Sequence, residues 1–183
     1  GLIVFNLFSE CISRAPSLIL SNVNYVKKVV FPLEILPVVG LLSALFHSAV
    51  SLVVWLLAYL FLIGIPHSTV LYLPLILVPL LLFTMGLSWA LASLGVFLRD
   101  VSQFVNIAMT VLMFLSPIFY PATALPEAYR QLLSANPLVP AIEQTRAVLY
   151  FGVSPDFQTL AIYWIATFVV AWLGFAWFQS TRK

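Results

Sequence analysis

Charged residues are scarce in this sequence, and their scarcity limits the kinds of protein that it can encode. Only 8% of the 183 residues are Asp, Glu, Lys or Arg, whereas 63% are hydrophobic. Because a soluble domain carries about 25% charged residues, this chain has too few to cover a surface that faces water. The net charge of +2 is also too small to indicate nucleic-acid binding. The composition therefore indicates an integral membrane protein.

Side chains that carry catalytic chemistry are also few. The single cysteine, Cys11, excludes an intrachain disulfide and a cysteine-based metal site. The two histidines, His47 and His67, lie far apart in sequence. The chain contains no phosphate-binding loop, zinc-protease or serine-hydrolase motif. We therefore expect a chain that is not an enzyme and holds no metal, and that does not bind ATP through a P-loop.

Long apolar blocks divide the sequence at intervals that suit membrane-spanning helices, which need roughly 20 apolar residues each. They predict an all-α membrane protein, with residues 1–183 forming one transmembrane domain. The predicted spans are 1–21, 37–63, 71–98, 101–120 and 159–178. Because the chain begins inside an apolar block and without methionine, we expect a further N-terminal segment that brings the total to six spans.

Basic residues indicate which ends of the spans face the cytoplasm. Lys27 and Lys28 follow the first predicted span, Arg99 lies between the third and fourth, and Arg182 and Lys183 follow the last. These three places alternate so that they share one side, and the short loop on the other side between the second and third spans has no Lys or Arg. Because short loops rich in Lys and Arg stay inside, we predict that this side is cytoplasmic.

Polar residues recur every three or four positions in the first and fourth blocks, which places them along helical faces. Within the first block, Arg14 follows Glu10 by four residues, the favourable order for an ion pair on a helix. Charges inside a bilayer are costly and face a partner or water, so two interpretations stay open: a structural ion pair between packed helices, or the wall of a polar conduit. The pore-lining candidates are Asn6, Glu10, Ser13, Arg14, Ser17, Gln103, Asn106 and Thr110.

Small and hydroxylated residues mark surfaces where helices can approach closely. The second block carries Ser43, His47 and Ser51 at successive turns, and we predict that His47 is a hydrogen-bonded packing residue. The third block carries a similar surface at Gly86, Ala90, Ser93 and Gly95.

Two connecting segments have helical patterns that are too short to span a membrane. Residues 24–30, in the basic loop, predict a helix that docks into another protein, or a turn in which lysines meet lipid headgroups. Residues 126–135 and 140–151, on the opposite side, predict two short helices, the second ending at Gly152. These two are either re-entrant and buried in protein, or amphipathic and resting on the outer leaflet.

Three stretches resemble a known family. NVNYVKKVVFPLEILPV, FLRDV and FLSPIFYPATALPE…ANPLVPAIEQTRAVL are similar to permease subunits of type-2 ABC exporters, in the branch that exports O-antigen, capsular polysaccharide and teichoic acid. The resemblance extends from about residue 6 to residue 183. It implies six spans in the complete protein, with an N-terminal interface helix and a first span that would precede Gly1.

The resemblance also implies partners and site residues. It implies a homodimer of permease subunits, two separate ATP-binding cassette subunits that bind ATP and Mg²⁺, and a glycan on a polyprenyl diphosphate lipid. The location would be the cytoplasmic (inner) membrane of a bacterium. The residues that receive the ATPase motion would be Asn24, Tyr25, Val26, Lys27 and Lys28. The aromatic residues near the pore exit would be Phe114, Phe119 and Tyr120.

Three other functions compete with polysaccharide export. A permease for a hydrophobic drug or a lipid would need fewer polar residues along its pore, so the polar stripe of the first block favours a glycan as the cargo. A membrane-embedded glycosyl or lipid transferase would need a carboxylate pair or a metal site facing water, and the sequence indicates neither. A secondary transporter would usually show inverted repeats, and the two halves show no convincing repeat.

Overall fold

A computed structural model describes residues 1–22, 32–98, 100–120, 133 and 136–181. This part of the chain is built from helices, with no strands. The α-helices in chain order are α1 (Leu2–Arg14), α2 (Leu18–Ser21), α3 (Ile35–Leu62), α4 (Leu73–Phe97), α5 (Val101–Leu115), α6 (Leu138–Arg146) and α7 (Phe157–Thr181). Shorter 3-10 turns precede α2 and α4, at Ala15–Ser17 and Ser68–Tyr72, and a π-helical turn follows α6 at Ala147–Phe151.

Four of the helical segments are long and apolar enough to cross a membrane. They are Leu2–Ser21, Ile35–Leu62, Ser68–Phe97 and Phe157–Thr181. They correspond to the first, second, third and fifth predicted spans, with bounds that differ by three residues or fewer. The predicted all-α membrane fold is confirmed.

The fourth predicted span differs from the structure. We predicted a helix over 101–120, but α5 ends at Leu115 and has 15 residues. At 1.5 Å per residue it is about 22 Å long, less than the roughly 30 Å of a hydrocarbon core. The helix stops because Ser116 precedes Pro117 and is extended, with φ −90° and ψ 143°, as expected for a residue before proline. The five predicted spans are thus four full-length helices and one shorter apolar helix.

Helices α4 and α7 approach closely through glycine. A Cβ atom on Gly86 would lie 2.6 Å from the backbone oxygen of Val170, and a Cβ on Gly174 would overlap the backbone of Gly86. A Cβ on Gly95 would likewise overlap the backbone of Pro16, which lies in the turn after α1. The close-packing surface predicted on the third block is therefore confirmed at Gly86 and Gly95.

The short helix α6 is packed within the bundle. Leu138, Ala141 and Ile142 are fully buried and belong to the same apolar cluster as Phe8 of α1 and Leu80 of α4. We predicted this helix over 140–151; it begins two residues earlier, at Leu138, and the π-helical turn continues it to Phe151.

The chain leaves that turn at a glycine, as the sequence predicted. Gly152 has a positive φ of 65° in the left-handed region, which costs a glycine little and other residues more. The other predicted short helix, 126–135, lies outside the described residues apart from Leu133, as does the predicted coupling helix at 24–30.

Hydrogen bonds tie the helix ends together on the side that the basic loops predict to be cytoplasmic. The indole nitrogen of Trp89 donates to the backbone oxygen of Glu34 at 3.2 Å, and the Gln179 amide donates to the Glu34 carboxylate at 2.8 Å. The hydroxyls of Ser93 and Thr181 lie 2.6 Å apart. The start of α3 and the ends of α4 and α7 therefore lie together.

Side-chain hydrogen bonds also connect the helices at the opposite end of the bundle. The Thr69 hydroxyl donates to the backbone oxygen of Val148 at 2.8 Å, and the indole nitrogen of Trp164 donates to that of Leu75 at 3.1 Å. The start of α4, the turn after α6 and the first half of α7 therefore share this end.

Candidate functional site

A polar groove of about 370 Å³ lies between α1 and α3. Helix α1 buries an apolar face, including Val4, Phe8 and Ile12, against the core. With 3.6 residues per turn, its polar residues therefore point to the other side, towards α3. The polar residues that line the groove are Asn6, Ser9, Glu10, His47, Ser48 and Ser51.

The Glu10 carboxylate is the centre of the groove. One oxygen lies 3.0 Å from the Arg14 guanidinium and 3.0 Å from His47 Nδ1, and the other oxygen lies 3.2 Å from the same His47 nitrogen. The predicted ion pair of Glu10 with Arg14 is confirmed. His47 was predicted to be a hydrogen-bonded packing residue; the hydrogen bond is present, but the side chain is exposed and is not packed between helices. The Glu10–His47 contact joins two helices, because 37 residues separate the partners in sequence.

The groove lies near the middle of the helices that form it. Glu10 is eight residues into α1 and His47 twelve residues into α3, or about 12 Å and 18 Å along helices that rise 1.5 Å per residue. Both positions fall well inside a hydrocarbon core of roughly 30 Å. Polar side chains at that depth are costly unless they face a partner or a water-filled cavity. Glu10 has partners in Arg14 and His47, so both interpretations of the stripe, a structural ion pair and the wall of a polar conduit, stay open.

The other pore-lining candidates of the first block lie at the edge of the groove or outside it. Arg14 is exposed at the edge of the groove, where it contacts Glu10, and Ser13 is half-buried. Ser17 is exposed and donates to the backbone oxygen of Arg14 at 3.0 Å. Neither Ser13 nor Ser17 lines the groove.

Four polar groove residues were not among the pore-lining candidates. Ser9 and Ser48 were missed altogether, and His47 and Ser51 were predicted only to be packing residues. Ser48 precedes Ser51 by three residues, a spacing that places both on one face of α3, and this spacing is the signal that could have found it. Ser9 and Glu10 follow Asn6 by three and four residues, and both spacings place a side chain on the same side of α1 as Asn6. The spacing from Asn6 is therefore the signal that could have found Ser9.

The polar stripe of α5 lies away from this groove. Gln103, Asn106 and Thr110 are all exposed. The Thr110 hydroxyl donates to the backbone oxygen of Asn106 at 3.1 Å, and large apolar side chains such as Phe104 and Ile107 are exposed beside them. Within one copy of the chain, the stripes of α1 and α5 do not meet, and the pore-lining role of the α5 stripe stays a prediction.

The three aromatic residues of the predicted pore exit lie in the last turn of α5 and in the segment that follows it. The side chains of Phe114 and Phe119 are 65% and 64% exposed, and the Tyr120 hydroxyl donates to the backbone oxygen of Phe114 at 3.2 Å. The Arg146 guanidinium donates to the backbone oxygen of Tyr120 at 3.3 Å and so joins this segment to α6.

The coupling residues and a metal site are the remaining subjects of the sequence analysis. The predicted coupling residues Asn24, Tyr25, Val26, Lys27 and Lys28 lie outside the described residues. In the part of the chain that the structure covers, no group of three or more His, Cys, Asp or Glu side chains is placed to hold a metal ion.

Apolar helices that are long enough to cross a membrane and a polar groove set among them define the class of this chain: it is a multi-pass α-helical membrane protein. Residues 1–150 match the sequence profile of the ABC-2 type transporter family. The chain belongs to this family, and is accordingly a transport protein rather than an enzyme.

The chain is also similar over its whole length to named transport proteins. It is 26% identical to an O-antigen export system permease protein RfbA of Klebsiella pneumoniae and 28% identical to the protein of the same name in Myxococcus xanthus. It is 27% identical to the polysialic acid transport protein KpsM of Escherichia coli. These alignments cover 100% of this chain and 70% to 71% of the relatives.

Proposed function

We propose that this chain is the membrane-spanning permease subunit of an ATP-driven exporter that moves lipid-linked polysaccharide across the cytoplasmic membrane of a bacterium. The observation that carries the proposal is the polar groove halfway along α1 and α3, centred on Glu10 and His47. The names of the relatives, which refer to O-antigen export and polysialic acid transport, support the same substrate class.

The chemistry of the groove suits a sugar chain. Sugar hydroxyls both donate and accept hydrogen bonds, and the groove offers a carboxylate at Glu10, an amide at Asn6 and hydroxyls at Ser48 and Ser51. A drug or lipid cargo, the alternative, would gain little from these groups, and the cost of placing them at mid-membrane depth would remain. The groove therefore favours a glycan over an apolar cargo.

The proposal assigns energy coupling to other subunits. Two copies of this chain would form the pore, and two ATP-binding cassette subunits would bind ATP and Mg²⁺ on the cytoplasmic side. ATP binding moves the spans only if the partner contacts their two states differently. We assign these contacts to residues 24–28, which lie between α2 and α3 in the sequence.

The aromatic residues in the last turn of α5 and just after it would receive the glycan as it leaves the pore. The rings of Phe114 and Phe119 are largely exposed near the outer end of the bundle, where an aromatic face can stack on the apolar face of a sugar ring. Gln103, Asn106 and Thr110 would add polar wall where a second copy of the chain faces α5.

A bulky side chain in the groove tests the proposal. We expect Ser51→Trp to abolish most export, because the indole would occupy the space beside Glu10 and His47 through which the glycan passes. The measurement is the amount of the polysaccharide at the cell surface, determined by immunoblotting in a strain that depends on this transporter.

The matched control is Val50→Trp, which adds a larger side chain at the neighbouring position of α3. Val50 is exposed and does not line the groove, so export should be retained. Both variants must be present in the membrane at wild-type abundance. Unchanged surface polysaccharide in Ser51→Trp would show that the groove is not the path.

A further inference from the structure

The segment that follows α5, residues 116–120, has a non-helical backbone. We call it the exit segment, because it carries Phe119 and Tyr120 of the predicted pore exit. Helix α5 starts just after Arg99, which is predicted to be cytoplasmic, and its 15 residues rise only about 22 Å. The exit segment therefore begins within a hydrocarbon core of roughly 30 Å. Backbone without helical hydrogen bonds is tolerated at that depth only where other groups satisfy it, so the exit segment needs hydrogen-bond partners from elsewhere in the protein.

One side chain supplies hydrogen bonds to much of this backbone. The Arg146 guanidinium, at the end of α6, donates to three backbone oxygens of the exit segment. They belong to Pro117 at 2.5 Å, Ile118 at 3.2 Å and Tyr120 at 3.3 Å. Among the described residues, none of these three oxygens accepts a hydrogen bond from a backbone N–H. A guanidinium suits this arrangement, because its five N–H groups are fixed in one plane and reach several acceptors at once.

A second contact holds the start of the exit segment. The Asn136 amide donates to the Ser116 hydroxyl at 3.0 Å. The side-chain oxygen of Asn136 accepts from the backbone N–H of Leu138, the first residue of α6, also at 3.0 Å. Asn136 is 6% exposed and Ser116 is fully buried, so this contact lies in the interior of the protein. Residues at both ends of α6 therefore hold the exit segment.

The packing of α6 fixes where these two side chains lie. Leu138 and Ile142 of α6 are fully buried and share an apolar cluster with Ile118 of the exit segment. Because a closely packed core does not deform readily, α6 gives Arg146 and Asn136 fixed positions. The exit segment is thereby fixed to α6 as well as to the end of α5.

We infer that Arg146 and Asn136 are positioning residues for export, which hold the exit segment so that Phe119 and Tyr120 present their rings to the glycan in one arrangement. The inference rests on the proposed function, because the cargo that these rings would contact is the glycan. Tyr120 is held further by its hydroxyl, which donates to the backbone oxygen of Phe114 at 3.2 Å. A binding surface that is already ordered avoids the entropic cost of ordering it when the cargo arrives. Neither Arg146 nor Asn136 needs to contact the cargo, because each acts on groups of the exit segment.

The mobility of a label on the exit segment tests the inference. A nitroxide is attached at Phe119→Cys in the full-length transporter with its ATPase partner, in a Cys11→Ala background, and is followed by electron paramagnetic resonance. We expect Arg146→Gln to raise the ratio of mobile to immobile label about tenfold, the factor that one hydrogen bond to a charged group contributes. Arg146→Lys should give an intermediate ratio, because an ammonium keeps the charge but lacks the planar fork that reaches all three oxygens. Ser116→Ala, which removes the acceptor of the Asn136 amide and leaves the start of α6 intact, should give a smaller increase.

The matched control is Gln144→Ala on the same helix. Gln144 forms its hydrogen bonds with the backbone of Asp156 and not with the exit segment, so the label at position 119 should keep its wild-type spectrum. A second label, at Phe104→Cys on the exposed side of α5, should keep its spectrum in every variant. This label distinguishes local release of the exit segment from a general loosening of the protein.

Export is measured in the unlabelled variants, each present in the membrane at wild-type abundance. Surface polysaccharide should fall several-fold in Arg146→Gln, be partly restored in Arg146→Lys and stay unchanged in Gln144→Ala. Where Arg146→Gln does not fold, Arg146→Lys and Ser116→Ala decide the question.

Two results would overturn the inference and leave the proposed function standing. The first is a wild-type spectrum at position 119 in the Arg146 and Ser116 variants, because the exit segment would then be held by other contacts. The second is a mobile label together with wild-type surface polysaccharide, because the position of the exit segment would then not matter for export. Absence of polysaccharide export by the wild-type transporter would instead contradict the proposed function itself, whatever the spectra show.

Discussion

At the scale of single residues, the side chain that Gly86 lacks determines how closely α4 and α7 approach. A Cβ atom there would lie 2.6 Å from the Val170 oxygen and 2.8 Å from the Ala171 Cα, both backbone atoms that cannot rotate away. Gly40 of α3 is different, since the nearest atom to its Cβ position is the flexible end of Leu18 at 3.9 Å. Replacing each of these two glycines by alanine therefore distinguishes the effect of close packing on stability from the effect of helix propensity.

We expect Gly86→Ala to destabilise the protein by about 1–3 kcal/mol, the usual cost of overpacking. Gly40→Ala should be neutral or stabilising by up to about 1 kcal/mol, because alanine favours a helix more than glycine does. Thermal unfolding of the two purified variants, followed by tryptophan fluorescence, compares them. Equal midpoints would contradict the close approach of α4 and α7.

At the scale of helices, the start of α7 depends on one carboxylate. Asp156 accepts hydrogen bonds from the Thr159 hydroxyl at 2.5 Å and from the Gln158 backbone N–H at 3.1 Å. Its own backbone N–H donates to the Gln144 side chain at 3.0 Å, which links α7 to α6. The bond from Thr159, above all, lowers the pKa of Asp156 from its usual 3.8. A lowered pKa means that the ionised carboxylate is stabilised in the folded state.

We expect Asp156→Ala to open the first turn of α7, so that the backbone amides of residues 158–160 exchange with deuterium several times faster at neutral pH.

In the wild type, exchange protection should be the same at about pH 7 and pH 5 and should weaken only as the pH falls through the lowered pKa, where the carboxylate takes up a proton. Hydrogen–deuterium exchange with mass spectrometry measures both. Ser154→Ala, a change at an exposed position nearby, is the control, and equal exchange in the two variants would exclude the cap.

At the scale of the whole molecule, the helix ends form two groups. Glu34, Ser93 and Thr181 belong to one end, and Thr69, Val148 and Trp164 to the other. This grouping agrees with the alternation of the basic loops, and the loops predict which end faces the cytoplasm.

We expect single cysteines at the two ends to be labelled from opposite sides of the membrane. In a background with the buried Cys11 replaced by alanine, Ser154→Cys should react with a membrane-impermeant maleimide added to spheroplasts, and Asp100→Cys only after permeabilisation. Both positions are exposed, so access to the reagent depends on the side alone. Labelling of both in intact spheroplasts would contradict the topology.

Much of this architecture could be predicted from composition and short-range pattern. The four long helices follow from apolar blocks of sufficient length, the stop at Gly152 from a residue that adopts a positive φ, and the Glu10–Arg14 pair from a spacing of four. Each of these depends on residues within a few positions of one another, so the sequence alone determined them. The end of α5 at Leu115 was missed, although its signal, Pro117, was present, because the apolar block continues past it.

Tertiary structure decided which of these elements face one another. The contact between Glu10 and His47 depends on the rotation of α1 and α3 about their own axes, and the outward direction of Gln103, Asn106 and Thr110 depends on how α5 packs against α1 and α4. Periodicity shows that residues share a face, but the direction of that face is fixed by packing with residues distant in sequence. The sequence by itself thus determined a membrane protein with its long helices and polar stripes, whereas only the tertiary structure decided that one stripe closes on α3 to form a groove.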